Sequence, residues 1–330
     1  MWRAIYKMMM KTPLTTRTRI KPVARKRKGK PIHGWLVIDK PLGMTSSAVV
    51  GKVRRATGAA KVGHGGTLDP LASGILPLAF GEATKTVSYA MDGTKVYHFT
   101  IRWGIATSTD DTEGESVAES DVRPDEDAIR AATKRFIGEI EQVPPVYSAV
   151  KIAGRRACDL AREDRPPELS ARTIRIDRFE LMAIPDSDHA EFEVVSGKGA
   201  YMRSLARDLA EALGTKGHIA HLRRIQVGPF DLSDAISLEK IETLGHSASL
   251  CEILLPVETA LDDIPALALT EAEARCLQMG QSVPALPIAS RSPFRGLEQG
   301  GIAYASTEGK PVALVRLMGG EIRPVRVLNL

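Results

Sequence analysis

Apolar and polar positions along this chain switch between two periods, and each switch marks an element. His33-Gly34-Trp35-Leu36-Val37-Ile38-Asp39-Lys40-Pro41 is a short apolar run closed by proline and reads as a strand. Beyond it Val49, Val50, Val53 and Ala56 recur at helical spacing, opposite Lys52 and Arg55. Thr45 or Ser46 caps the start of that helix, and Gly58 stops it. Strand character returns from Val96 to Trp103, and Pro124 opens a helix through Ile129, Ala132 and Phe136 that Gly138 ends. Residues 172–182 and 190–196 alternate like strands. Behind Tyr201, Met202, Leu205, Leu209 and Leu213 return to helical spacing, with Gly214 as the stop. Arg203 and Arg207 share the other face of that helix, a pattern that ordinarily coats a solvated surface.

Three stretches follow neither period. Thr107-Ser108-Thr109-Asp110-Asp111-Thr112-Glu113-Gly114 is acidic but lacks the spacing of a calcium loop, and reads as a solvated turn. Between Pro144-Pro145 and Pro166-Pro167 lies a basic segment with Lys151, Arg155, Arg156 and Arg162, expected to form an exposed, mobile arm. Near Leu261-Asp262 the pattern shifts again. Thr270-Glu271-Ala272-Glu273 is a capping box, and short strands follow at Ile302–Ser306, Val312–Leu317 and Ile322–Leu328. A small β-rich satellite domain is the expectation there.

Composition adds mostly exclusions. The chain has 330 residues, 43% hydrophobic and 26% charged, ordinary for a soluble protein with one large domain and a small one. No run of 18 apolar residues is present, so no membrane span is expected. Cys158, Cys251 and Cys276 lie far apart, which suggests neither a disulfide framework nor a zinc site and suits a reducing cytosol. His218 and His221 lack an evident third ligand, so no metal is expected. The net charge of +5 is misleading, because residues 1–30 hold eleven Lys or Arg and no acid, leaving the remainder at −6. That basic tail, taken as 1–32, is disordered by composition and would add nonspecific attraction to phosphate. An organellar transit peptide shares its character, and a start at Met8, Met9 or Met10 is a third reading.

The candidate chemistry sits in Gly63-His64-Gly65-Gly66-Thr67-Leu68-Asp69-Pro70-Leu71-Ala72-Ser73-Gly74. One carboxylate, Asp69, stands among glycines, prolines and apolar residues, and Pro70 restricts it to extended backbone. A carboxylate at fixed geometry suits a nucleophile or general base, although turn aspartates are common. His64 follows Gly63 where a P-loop needs Lys, and Leu68 stands where the dinucleotide fingerprint needs its third glycine. No G-x-S-x-G elbow occurs.

Seven segments together resemble the TruB-type tRNA pseudouridine synthases, in family order over roughly 33–230. They are Asp39-Lys40-Pro41, the Asp69 segment, Gly81-Glu82-Ala83-Thr84-Lys85, Tyr97, Pro144-Pro145-Val146-Tyr147-Ser148-Ala149-Val150-Lys151, Gly199-Ala200-Tyr201-Met202-Arg203-Ser204 and Leu222-Arg223-Arg224. The resemblance implies an α+β fold: a pseudouridine synthase catalytic domain (33–261) on a mixed, mainly antiparallel sheet with flanking helices. An RNA-clamping arm at about 144–171 and a small C-terminal β-barrel of the PUA type (262–330) complete it. The last match is weaker, resting on Leu269-Thr270, Gly280-Gln281-Ser282-Val283 and the terminal strands. Gly65 replaces a more common Thr or Ala, Cys158 an aromatic or aliphatic residue, and Glu163-Asp164-Arg165-Pro166-Pro167 is atypical.

Such enzymes isomerise uridine 55 in the TΨC arm of tRNA without metal or organic cofactor. The resemblance implies that Asp69 is the catalytic aspartate, that Tyr97 stacks on the target uracil and that Arg203 pairs with Asp69. It further implies that His64 fills space vacated in the stem-loop and that Tyr201 and Leu222 line the base pocket. Lys40 would support the site, and Asp111 would assist the flipped nucleotides. Lys151, Arg155, Arg156, Arg223 and Arg224 are candidates for phosphate contacts, beside the plainer reading of surface charge. The target base must leave its stack, at a cost of a few kcal/mol that stacking and pocket contacts offset. Asp69 has to carry its charge in a dry pocket, which an adjacent guanidinium favours.

The expected setting is a cytoplasmic monomer without an obligate protein partner, acting on the TΨC stem-loop. Two other readings share the scaffold. A noncatalytic RNA-binding or RNA-folding protein would not need the set Asp69, Tyr97 and Arg203, whereas a guide-RNA-dependent synthase of ribosomal RNA would share it. The modest length and the absence of a long basic C-terminal extension speak against the latter.

Overall fold

A computed structural model describes residues 29–163, 165–244, 252–292 and 297–330. Most of the tail expected over 1–32 therefore lies outside the described residues, as do Asp164 and Cys251. The chain opens with β1 (Gly34–Lys40), α1 (Ser46–Thr57), β2 (Val62–His64), β3 (Ala72–Phe80), α2 (Val87–Asp92) and β4 (Lys95–Trp103). There follow β5 (Ile105–Thr107), β6 (Ser116–Glu119), α3 (Glu126–Thr133), β7 (Gly138–Gln142), β8 (Lys151–Ile152), β9 (Arg155–Arg156) and α4 (Ala157–Ala161). The first unit ends with β10 (Arg172–Asp186), β11 (His189–Ser196), α5 (Met202–Ala212), β12 (Gly217–Val227), β13 (Phe230–Asp231), β14 (Ala235–Ser237) and α6 (Leu238–Leu244).

Ten of these strands form one sheet in the order β14-β1-β3-β12-β4-β11-β10-β7, with β2 beside β3 and β13 beside β12. Among its pairings only β1–β14 and β3–β12 are parallel, so the sheet is mixed and mainly antiparallel. Alternation decides what β4 buries: Phe99, Ile101 and Trp103 share one core with Phe192 and Val194 of β11 and Phe179 of β10. Met202, Leu205 and Leu209 of α5 close that core from above the sheet. Each such side chain contributes about 1.5–3 kcal/mol by leaving water. β3 behaves differently, since all nine of its residues are buried and it reads as a continuous apolar run.

Local signals set several of the helix ends. Thr45 Oγ1 accepts from Ala48 N and Gly58 closes α1 at φ +67°. α3 begins behind Asp125, whose carboxylate caps Ala128 N, and Gly138 opens β7 instead of ending a helix. Gln142, at the end of β7, is buried and reaches α5: its side chain donates to Tyr201 O (3.1 Å) and accepts from Tyr201 N (2.8 Å). That exchange fixes the helix start.

The second unit contains β15 (Ala266–Ala268), α7 (Glu271–Gln278), β16 (Val283–Pro284), α8 (Ala285–Arg291), β17 (Ile302–Thr307), β18 (Lys310–Met318) and β19 (Glu321–Val327). Its strands pair in the open order β15-β17-β18-β19-β16, a curled half-barrel of the PUA-like kind with its own apolar core. Thr270 and Glu273 make the expected capping box. The chain end then returns to the first unit. Leu328 enters the core around Trp35, Lys85 Nζ donates to Val327 O (2.7 Å) and Asn329 N donates to Glu82 (2.8 Å).

Candidate active site

Asp69 lies on the loop between β2 and β3, and buried donors from distant positions hold that loop. Ser46 Oγ accepts from Leu68 N and donates to Leu68 O, both at 2.9 Å. Lys40 Nζ, at the end of β1, donates to the carbonyls of Pro41 (2.9 Å), Met44 (2.7 Å) and Pro70 (3.2 Å). Burial pushes the Lys40 ammonium down to about 8, with Asp69 opposing the shift and Arg224 adding to it. From β12, Arg224 donates to Ile75 O (2.9 Å), Thr67 O (3.2 Å) and Gly66 O (3.3 Å). Gly74, at φ +99°, lets β3 approach β12 closely, because a Cβ there would stand 2.1 Å from Arg224 O. The departure at Gly65 also has a packing counterpart: a Cβ would meet the Trp35 ring at 3.2 Å.

The carboxylate meets its cation from α5. Arg203 Nη2 stands 2.9 Å from Asp69 Oδ2, and Nη1 stands 3.5 Å from Asp111 Oδ2. The same guanidinium donates to Thr109 O (3.0 Å) and Tyr147 O (2.9 Å). Arg203 is 4% exposed, so this helix face is covered, not solvated as its charge pattern suggested. The 107–114 turn and the start of the arm pack over it. Asp111 is likewise buried and accepts from Glu113 N (3.0 Å), so the acidic turn is solvated at Ser108, Thr112 and Glu113, as expected, but not at Asp111.

Asp69 borders three cavities. A pocket of about 280 Å³ is lined by Tyr97, Tyr201, Leu222, Met202, Lys95 and Arg224. A cleft of about 400 Å³ carries His64, Asp111, Tyr147, Lys151, Arg156 and Arg203. A smaller space of about 150 Å³ joins Asp69 and Arg203 to Leu222 and His221. Tyr97 sits opposite Arg224 in the β4–β12 register, with Leu222 opposite Phe99, so the pocket continues the apolar core to its edge. Burial pushes the Tyr201 hydroxyl up and the His64 imidazole down, keeping both neutral near pH 7. Among the described residues, nothing accepts a hydrogen bond from, or donates one to, the buried His64 Nδ1 and Arg203 Nε.

Most of the residues singled out from sequence therefore converge, but the basic candidates divide. Lys151, Arg155 and Arg156 are exposed on the β8–β9 hairpin, with Arg155 paired to Glu163. Arg224 is 2% exposed and donates to three carbonyls, so its guanidinium braces the Asp69 loop from the edge of the pocket. Arg223 points the opposite way along β12, as alternation requires, and grips both oxygens of Asp39 at 3.0 and 2.8 Å. Its fork is matched by a carboxylate and is not presented free to a phosphate. Ser46, Gln142 and Arg207 take part in this construction without having been singled out for it. Among the described residues no group of three His, Cys, Asp or Glu is placed to hold a metal, and no helix is long and apolar enough to cross a membrane.

Comparisons with known proteins agree with this geometry. Residues 54–202 match the model of the TruB family pseudouridylate synthase N-terminal domain. Residues 203–262 match the tRNA pseudouridylate synthase B C-terminal domain. The tRNA pseudouridine synthase B of Rhodospirillum rubrum is 60% identical over 308 residues, covering 93% of this chain and 100% of that protein. Its counterpart from Gluconacetobacter diazotrophicus is 56% identical over 305 residues, covering 92% and 100%. Among solved structures, one of a Cbf5-Nop10-Gar1 complex superimposes with TM-score 0.69 at 26% identity, covering 90% of this chain and 85% of that one. The mixed sheet with its helices and the half-barrel thus define a pseudouridine synthase fold. The chain belongs to the TruB family of pseudouridylate synthases.

Proposed function

We propose that this protein converts uridine 55 in the TΨC arm of tRNA to pseudouridine. The observation that carries the reading is the Asp69–Arg203 pair at 2.9 Å, set where a pocket lined by Tyr97, Tyr201 and Leu222 meets a cleft carrying basic side chains. A binding protein has no use for a carboxylate braced in this way. The reaction breaks the N1–C1′ bond, turns the detached uracil and joins C5 to C1′. C5 loses its proton and N1 gains one, so atoms balance.

In this reading Tyr97 offers its ring to the flipped uracil, a stacking surface worth about 1–3 kcal/mol. Leu222 keeps water from the detached base, and Tyr201 closes the pocket at the start of α5. Arg203 aims the Asp69 carboxylate, while Asp111 shares that guanidinium on the side where neighbouring flipped nucleotides enter. His64, uncharged, fills the space that the extruded bases leave. Lys40 braces the loop from beneath. Lys151, Arg155 and Arg156 of the arm at 144–171 approach phosphates, and the half-barrel at 262–330 extends the RNA contact from the catalytic domain at 33–261. Shape of the folded arm of tRNA, more than linear sequence, carries the recognition.

The protein acts alone as a monomer in the cytoplasm, without a guide RNA. Purified full-length protein incubated with an unmodified tRNA transcript tests this. The expected product, mapped by mass spectrometry, is one pseudouridine at position 55. Conversion only after a guide RNA is added, or binding without conversion, would contradict the proposal.

A further inference from the structure

One turn beyond Arg203, α5 carries a second arginine that reaches the same two segments. Arg203 donates to Thr109 O in the 107–114 turn and to Tyr147 O near the start of the arm. Arg207 Nη1 stands 2.9 Å from Asp110 Oδ2 in that turn, and its Nη2 donates to Val143 O (3.0 Å) just ahead of the arm. Ser204 Oγ donates to the same Val143 carbonyl (2.8 Å), and Asp208 accepts from Arg207 Nε (3.0 Å). Asp110 lies at φ +60°, a left-handed conformation that residues other than glycine seldom adopt. Its own carbonyl accepts from Ile219 N of β12 (3.0 Å), three residues before Leu222.

These contacts have a direction. Asp110 is held by side chain to α5 and by main chain to β12, and the next residue is Asp111. A backbone in a sparsely populated region persists only where its surroundings over-determine it. Neither Asp110 nor Arg207 lines any of the three cavities around Asp69. Burial pushes the Asp110 and Asp208 carboxyls up while Arg207 pulls both down, with Arg203 also acting on Asp110, so removing the Arg207 guanidinium takes from Asp208 its cation and from Asp110 its hydrogen-bonded one.

We propose that Arg207 and Asp110 are a positioning pair for the reaction proposed above, on which this inference rests. Their ion pair holds the 107–114 turn in the left-handed form that presents Asp111 to Arg203, and Arg207 ties the root of the arm to the same helix. The two arginines divide the work: Arg203 touches the reacting carboxylate, and Arg207 sets the frame in which Arg203 meets Asp69 and Asp111.

The test compares Arg207→Gln, Asp110→Asn, the double variant and Arg207→Lys in the full-length protein. Single-turnover conversion at saturating enzyme, tRNA affinity and Tm are read for each. Asn tolerates the left-handed region, so Asp110→Asn removes the charge without forcing the turn to refold. Each single variant is expected to slow conversion about tenfold, and the double variant about as much as either alone, because the two act as one unit. Affinity should stay within about threefold, and Arg207→Lys, which keeps a cation facing Asp110 but loses the fork that also reaches Val143 O, should recover part of the rate. Wild-type rates beside a lowered Tm would make the pair a structural staple only and overturn the inference, as would additive losses in the double variant. The wild-type reaction run alongside separates the claims. Absent conversion there contradicts the function, whereas full conversion by the variants contradicts only the pair.

Discussion

The loop that carries Asp69 and the arm that begins at Pro144 border the same cleft, yet they are built by opposite rules. Around the loop, Ser46, Lys40 and Arg224 place buried donors on the main chain of residues 66–75. The arm has two strands of two residues each, and Val150, Ala157 and Ala161 are its main buried apolar positions. Its basic side chains point outward, and its firm attachments are at its root, where Arg203 and Arg207 take the carbonyls of Tyr147 and Val143. On the proposed reaction, fixed geometry falls where a bond breaks, and adaptable charge falls where phosphate contacts would position a folded RNA.

Removing a brace from the loop should give the largest separation between the two regions. Arg224→Met keeps bulk but leaves three carbonyls unpaired, at roughly 1 kcal/mol or more each. The expected result is a marked fall in Tm and in single-turnover conversion, with tRNA affinity unchanged. Weakened affinity with a normal rate would place Arg224 on the RNA instead.

On the arm, Lys151→Ala combined with Arg156→Ala should do the reverse. Stability should stay within about 0.5 kcal/mol. The salt dependence of tRNA binding should flatten by about one unit for each phosphate the arm no longer neutralises, as filter binding across a salt series would reveal. Unaltered salt dependence would return these side chains to plain surface charge.

A smaller effect follows from two buried ammonium groups. Burial lowers both Lys40 and Lys95 to about 8 from the usual 10.5. Between those values the unfolded chain binds more protons at these positions than the folded one, so their contribution to stability rises with pH across that window. Below about pH 8 both states hold the proton and the dependence vanishes. Carbon-13 spectra of the lysine side chains should show two resonances titrating near pH 8, apart from the rest.

Much of this contrast was legible in the residues, and what was not has physical causes. Strand character marked β4 and period-two alternation β10 and β11, while Thr45 and Thr270 marked helix starts by side-chain caps within three residues and Gly58 marked a helix end by its freedom to take positive φ. β3 escaped because burial on both faces erases alternation, and because Gly74 and Pro77 look like breakers. The site came mainly from resemblance: the Arg203–Asp69 contact joins a helix to a loop far apart in sequence, and no local pattern encodes it. Arg203 and Arg207 illustrate the limit. Their spacing matches a solvated face until the turn and the arm root cover it. A signal for Arg224 was nevertheless present, since strand alternation puts it on the same side of β12 as Leu222, with Arg223 on the other. Gln142 and Ser46 offered none, for their partners lie 59 and 22 residues away.

The sharpest measurement is single-turnover tritium release from C5-labelled tRNA by Asp69→Asn at saturating enzyme, beside its tRNA dissociation constant. The substitution keeps shape and removes the charge that Arg203 faces. No release is expected, with affinity within about tenfold, or roughly 1.4 kcal/mol, of the wild type. Substantial release by the variant would contradict the assignment of the chemistry to the braced carboxylate.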